Sequence, residues 1–575
     1  MDKKNYNNRR MNPPPNMNIP MNYYPPPNMN NAPMNYYPPP NMNNVPMNYY
    51  LPPHLNVSMN YNPPTPMYYP VLNQPNMEML KDEPLDKPSA IQTTTTESNT
   101  TTTTTLNLEE EAIKLQLNLK RTTIQSSSFN SQSFPLLVSL SVENLKTTSQ
   151  RVPVDLVCVI DQSRSMEGQK ITLVKQAFAS LLNFLGDSDR LSIICFNTSA
   201  RLVTQLIRTK AENKIIIMDK LEKIPTVLGT NILSGLDLAF SVLKSRQYKN
   251  PVSSIFLLTD GRDGQAKTAE KTRQRMLAQK LDNETTIHTF GFGEDHDPKL
   301  MSDISGLRDG NFYFLDQLDT VDEAFVDCLG GLLSSIGQNV TLKVKGQNSD
   351  VLNGVKITKT YGESAMWNNT NGTFTTHMSS LITGSQKDFV LELEIPPNLK
   401  ELTDEQKNIK VASAEVDITD LNGNHIVKKA DLQITLLNEL EETKETEEDN
   451  KEVTKHFYRL KSASILDEAR KLADINDFEK AKKLLQNLNE ELLNCSLKNE
   501  QFIIHLTQDV KQAMVNIEPK MYKIGGKHGM YESVRAQFHQ RSNLRSFANY
   551  QNPTQMQMLH QVRKQKGHTQ LENNK

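Results

Sequence analysis

Val154-Asp-Leu-Val-Cys-Val-Ile160, followed at once by Asp161-Gln-Ser163-Arg-Ser165, is the stretch that decides the fold. The run 154–160 is β-branched and almost continuously apolar, as expected of a strand buried on both faces of a parallel sheet. Asp161 then falls at the carboxyl end of that strand, where open α/β sheets place their ligands. A carboxylate and two hydroxyls spaced D-x-S-x-S converge there into an oxygen-rich cradle for a hard cation. The plainer alternatives are that the fold is kept while the site is vestigial, or that Asp161 and Ser163 cap the following helix. Outward from this stretch, helix and strand patterns alternate over 152–336, as in a doubly wound α/β domain. Ile171, Val174, Phe178, Leu181, Leu182 and Leu185 recur at helical spacing, and 191–196 reads as a second strand. Leu233, Leu236, Ala239, Phe240 and Leu243 mark a further helix, and 254–258 and 287–292 two more strands. Phe325, Cys328, Leu329, Leu332, Leu333 and Ile336 read as the closing helix.

Two more segments extend the cradle. Gly229-Thr230-Asn231 follows a polar loop, and Thr259-Asp260-Gly261 ends the strand at 254–258. The ordered set D-x-S-x-S, Thr, Asp resembles the von Willebrand factor type A (vWA) domain and its metal-ion-dependent adhesion site. The resemblance implies a Rossmann-like fold with Asp161, Ser163, Ser165, Thr230 and Asp260 as metal ligands. Such hard oxygen donors suit Mg²⁺ first, with Mn²⁺ or Ca²⁺ as alternatives. Two carboxylates against a divalent cation leave the loaded site nearly charge-balanced. The resemblance further implies a coordination position left for an Asp or Glu of a protein partner, and a closing helix that can slide between weak and tight states.

A length of 575 residues with 37% hydrophobic content leaves room for several folded units but not for order throughout. The net charge of -2 favours neither nucleic acid nor a membrane surface as partner. No run approaches the roughly 18 apolar residues of a transmembrane segment. Met1-Asp-Lys-Lys-Asn5 leads into polar sequence with no secretory core, so a cytoplasmic location is expected. The 4 cysteines, Cys158, Cys195, Cys328 and Cys495, have neither zinc-module nor disulfide-framework spacing and read as small core residues.

Over 1–105 the chain is a Pro/Asn/Met/Tyr repeat followed by a threonine-rich linker. Tyr23-Tyr24, Tyr36-Tyr37 and Tyr49-Tyr50 mark a beat of 13 residues. Proline disfavours helix and sheet and apolar content is sparse, so a disordered tail is expected. It is either an expanded repeat with no partner or a multivalent ligand for Pro/Tyr-motif-binding proteins.

Across 106–150 the apolar period becomes two, at Ile113, Leu115, Leu117 and Leu119 and then Val138, Leu140 and Val142. It resumes across 338–438, at Val340, Leu342 and Val344, at Phe389, Leu391, Leu393 and Ile395, and at Leu432, Ile434 and Leu436. The economical interpretation is one antiparallel β-sandwich built from both flanks, with the vWA domain at 151–337 inserted between them; two independent sheets are the alternative. Residues 439–455 read as an acidic linker, 456–548 as a helical region, and 549–575 as a second disordered tail whose Arg563-Lys-Gln-Lys566 cluster is too short to argue nucleic-acid binding. Met530-Tyr531-Glu-Ser533-Val-Arg535 to Arg541 resembles the end of the region that accompanies vWA domains in a group of intracellular eukaryotic proteins. Some relatives in plants and protists carry a RING or U-box and act in ubiquitin transfer, whereas this chain has no RING cysteines.

The leading functional expectation is an intracellular, metal-dependent protein-binding adaptor. A component or adaptor of a ubiquitin-ligase complex is the alternative, and a secreted adhesion protein a third class. No nucleophile–base pair can be assembled, which favours binding over catalysis.

Overall fold

The computed structural model describes residues 110–573 except 128, 145–150, 264, 266, 317–319, 364–365, 399–401, 439–447 and 543–549. The Pro-Tyr repeats and threonine linker of 1–105 lie outside the described residues. No helix among the described residues is long and apolar enough to cross a membrane.

Three strands come first: β1 (Ile113–Asn118), β2 (Thr123–Gln125) and β3 (Gln132–Val142). The chain then builds an α/β domain from β4 (Val154–Asp161), α1 (Gln169–Phe184), β5 (Arg190–Phe196), β6 (Ala200–Arg208), α2 (Ala211–Glu222) and α3 (Ile232–Lys244). It continues with β7 (Val252–Thr259), α4 (Thr268–Gln279), β8 (Thr285–Phe292), α5 (Pro298–Gly306), β9 (Phe312–Leu315) and α6 (Val321–Leu333). The sheet order is β6-β5-β4-β7-β8-β9, parallel except for β6, which runs antiparallel to β5 at the edge.

Every residue of β4 is buried because helices cover both faces of the sheet. Leu156, Cys158 and Ile160 pack in one core with Phe178, Phe256 and Phe325, while Val157 and Val159 point into a second with Leu236 and Phe240. This two-sided burial is why the run is continuously apolar rather than alternating. β5 and β7 flank β4 on opposite sides, so the chain reverses its winding at the carboxyl end of β4, the usual place for a ligand crevice.

The far end of β4 is charged. Asp155 is fully buried and accepts from Arg190 Nε and Nη2, both at 2.7 Å, from Arg246 Nη1 at 2.7 Å and from Asn250 N at 3.1 Å. An aspartate within an apolar strand is tolerable only with such partners.

After α6 the chain forms β10 (Ser335–Gly346), β11 (Lys356–Thr360), β12 (Asn368–Thr370), β13 (Thr373–Ile382), β14 (Gln386–Ile395), β15 (Asn408–Asp420) and β16 (His425–Leu437). One sheet runs β1-β3-β14-β11 and the other β12-β13-β10-β15-β16-β2. β3 pairs with β14 from Gln132↔Ile395 to Ser141↔Gln386, so strands on either side of the α/β domain share a sheet. The two flanks therefore form one sandwich, with Val138, Leu140, Val340, Leu342, Leu391 and Val416 in its core. The exception to antiparallel pairing is β2 against β16. Ile336, expected in the closing helix, lies instead in β10 and packs on the sandwich core. Its spacing from Leu332 fits a helix, but pairing of Ser335 with Ile382 captures the chain first.

The helical region comprises α7 (Lys451–Asp474), α8 (Phe478–Asn494), α9 (Gln501–Asn516), α10 (Pro519–Met521), α11 (Lys527–His539) and α12 (Pro553–Asn573). The linker expected to reach 455 ends earlier, because Asn450 caps α7 by accepting from Glu452 N at 3.1 Å. The expected disordered tail at 549–575 is corrected outright, since most of it is α12. Asn552 and Gln555 cap each other's backbone N–H groups at 3.0 and 2.8 Å, and Met558 and Val562 join the α/β core. Gly330 of α6 permits this approach: a Cβ there would lie 3.0 Å from Gln555 Cγ. Arg563 and Lys566, expected to be solvated, pair with Glu323 and Asp322 of α6. Asp327, buried in the same helix, accepts from Tyr313 Oη at 2.8 Å, Ser542 Oγ at 2.7 Å and Gln551 Nε2 at 2.9 Å.

Candidate metal centre

The five positions singled out from the sequence meet at the carboxyl ends of β4 and β7. Asp161 closes β4 with its side chain turned back onto the next loop. Its Oδ1 accepts from Ser163 N at 2.7 Å and its Oδ2 from Thr259 Oγ1 at 2.5 Å. Ser163 Oγ lies 3.0 Å from Ser165 Oγ, which donates to Asp260 Oδ1 at 2.7 Å. Thr230 arrives on a loop drawn inward where Val227 N donates to Gln162 O at 2.7 Å. A Cβ on Gly261 would lie 3.2 Å from Thr230 Oγ1 and 3.5 Å from Asp161 Oδ2, so the missing side chain lets these oxygens converge. Both carboxylates are fully buried, Thr230 is half-buried and Ser165 is exposed, giving an acidic floor and a hydroxyl mouth. The capping alternative is not realised: α1 begins after Gly168, and neither it nor the 3₁₀ turn Arg164–Met166 has a side-chain cap.

Burial pushes the Asp161 carboxyl up to about 6, against the lowering effect of hydrogen bonds from Thr259 and Ser163, with Asp260 adding to the rise. Among the described residues Asp161 forms no ion pair, unlike Asp155 at the other end of the strand. Lys170, in the first turn of α1, pairs with Asp260 Oδ2. The sequence offered no signal for this contact, because a lysine early in an amphipathic helix reads as solvent-facing. Its presence changes the charge balance expected from the carboxylates alone.

A buried carboxylate lacking a cationic partner, surrounded by hydroxyls and a second carboxylate, fits a hard divalent cation. Among the described residues no group of three or more His, Cys, Asp or Glu is gathered to hold a metal ion, so a cation at this site would rest on hydroxyls together with the two carboxylates. Asp161, Ser163, Ser165, Thr230 and Asp260 would hold the cation, which would supply a Lewis-acidic position for one further oxygen ligand.

Residues 155–326 match the family model described as von Willebrand factor type A domain. This segment is a type A domain. The chain is 29% identical over 256 residues to the E3 ubiquitin-protein ligase WAV3 of Arabidopsis thaliana, covering 43% of this chain and 32% of that protein. It is 30% identical over 167 residues to the uncharacterized protein sll0103 of Synechocystis sp., covering 29% of this chain and 39% of that one. It thus spans well under half the length of either relative. In fold it is similar to a solved von Willebrand factor type A protein from Catenulispora acidiphila, with a TM-score of 0.53 at 14% identity over 74% of this chain and 97% of that one. That span exceeds the type A domain itself.

Proposed function

We propose that the protein is a metal-dependent protein-binding adaptor of the cytoplasm. Its type A domain holds a divalent cation, Mg²⁺ by donor chemistry, through Asp161, Ser163, Ser165, Thr230 and Asp260, and an Asp or Glu of a partner completes the coordination. The observation that carries this is Asp161: a buried carboxylate held by hydroxyl and backbone donors but left without a counter-cation, beneath a mouth that opens at Ser165. The Pro-Tyr repeats would add further partners by multivalency. Isothermal titration of Mg²⁺ into the full chain and its Asp161→Ala variant tests the site, and partner capture with and without chelator tests its use. Heat released by wild type alone, with chelator-sensitive capture, is the expected result; equal titration curves would refute it.

The similarity to WAV3 favours a second reading, in which the chain serves a ubiquitin-ligase complex as its substrate-binding component. The aligned 256 residues exceed the type A domain, which supports a likeness of more than one module. Reconstituted ubiquitin transfer with and without the chain, in Mg²⁺ held constant for the activating enzyme, distinguishes the two.

A further inference from the structure

We propose that Lys170 sets the charge of the loaded cradle at plus one, and thereby exchanges affinity for the cation against affinity for a carboxylate ligand. The inference rests on the metal-binding function proposed above and concerns a residue outside the five oxygen ligands.

Lys170 Nζ pairs with Asp260 Oδ2, while Asp260 Oδ1 accepts from Ser165. The lysine side chain is 23% exposed and its partner carboxylate wholly buried, so the pair is largely shielded from solvent. Helix energetics do not account for the position. Lys170 sits in the first turn of α1, where the helix dipole disfavours a cation, and that turn contains no acidic residue to compensate. What retains the ammonium is the floor of the cradle. Two carboxylates and a divalent cation would sum to neutrality; with Lys170 included the loaded site carries a net positive charge.

Two effects of opposite sign follow. The ammonium repels the incoming cation, and it attracts the carboxylate that completes the coordination. A monovalent and a divalent cation sharing one carboxylate interact strongly enough for a change on the order of tenfold even at the permittivity of bulk water. A lysine with only a structural role would weaken both bindings on removal or leave both unchanged. Lys170 is in these terms a positioning residue that selects an anionic partner rather than a neutral oxygen donor.

The test uses the full chain as wild type, Lys170→Met, Lys170→Gln and Lys170→Arg, each checked for a native circular dichroism spectrum. Mg²⁺ affinity is measured by isothermal titration. Acetate is then titrated into the Mn²⁺-loaded proteins, its binding read from the fall in paramagnetic water relaxation. Lys170→Met and Lys170→Gln should bind Mg²⁺ about tenfold tighter and acetate several-fold more weakly, with Lys170→Arg keeping the wild-type pattern. Unchanged or weaker Mg²⁺ binding in both neutral variants, or acetate affinity that does not fall, overturns the role of Lys170 while leaving the metal site intact. Failure of every protein, wild type included, to bind either metal overturns the metal-binding function and this inference with it.

Discussion

β4 carries a buried aspartate at each end, and replacing each by asparagine should give opposite results. Asp155 accepts four hydrogen bonds, three of them from the buried guanidiniums of Arg190 and Arg246. Asp155→Asn removes the negative charge and leaves both guanidiniums without their principal counter-ion, a loss of about 3–5 kcal/mol. In a domain of this size each kcal/mol moves the Tm by roughly 2–4 °C, so a fall of about 6–20 °C is expected. Asp161 is ionised at neutral pH against a carboxyl pushed up to about 6. Relative to an ordinary aspartate that costs up to about 3 kcal/mol, at about 1.4 kcal/mol per pH unit. In chelator, Asp161→Asn should therefore leave the Tm unchanged or raise it by a few degrees. Mg²⁺ at about one hundred times its Kd adds about 2.7 kcal/mol to wild type and to Asp155→Asn, and nothing to Asp161→Asn. Thermal unfolding of the full chain followed by circular dichroism, in chelator and in Mg²⁺, gives all the comparisons. If Asp161→Asn loses as much stability in chelator as Asp155→Asn, Asp161 is a structural aspartate and the cradle is not a binding site.

Other expectations can be checked separately. Asp327→Leu strips four donors of a buried acceptor, Gln555 of α12 among them, and should expose α12 to limited proteolysis, with a loss of about 3–5 kcal/mol in denaturant unfolding; wild-type protection would refute the role of this contact. Val227 and Leu228, 42% and 68% exposed, stand between Ser163 and Thr230 on the rim, so Leu228→Asp should weaken partner capture by about tenfold or more while Mg²⁺ titration stays at the wild-type value. Burial lowers His288 and His296 to about 3, so the unfolded chain takes up protons on these histidines before the folded one does. Stability should accordingly decline as pH falls from about 6.5 toward 3, by about 1.4 kcal/mol per unit for each histidine. Asp161 opposes this below pH 6, so His296→Leu is best compared with wild type at matched pH, where its decline should be shallower; identical slopes would refute the assignment.

The convergence of the five oxygen-bearing positions was legible because its chemistry is local. D-x-S-x-S lies on consecutive residues of one strand end, and the apolar run before it announces burial on both faces. The sandwich was legible because β3 and β14 each alternate toward one core, although nothing in either strand named its partner. What escaped depends on distant pairing. Asp155 is invisible in an apolar run until Arg190 and Arg246 are brought to it, and Lys170 cannot be told from a solvated lysine without Asp260. α12 carries too narrow an apolar stripe to stand alone; Met558 and Val562 become core residues only against α6. The edge strand β6 and the hairpin β12–β13 are half-exposed and polar, so their alternation is weak.

The attachment of α6 has a mechanical corollary. The helix starts near the rim that carries the candidate cradle, runs to the opposite end of the sheet, and passes without a linker into β10; along its flank Asp327 and Gly330 hold the C-terminal segment. It is thus a connecting rod fixed to two loads, a sandwich strand and α12. An axial stroke of α6 on ligand capture would be delivered to both at once. With a cation held in the cradle, the coupling would run backward as well, tension applied to α12 altering the grip on it at the far rim. An excised type A domain would retain the cradle and lose the transmission.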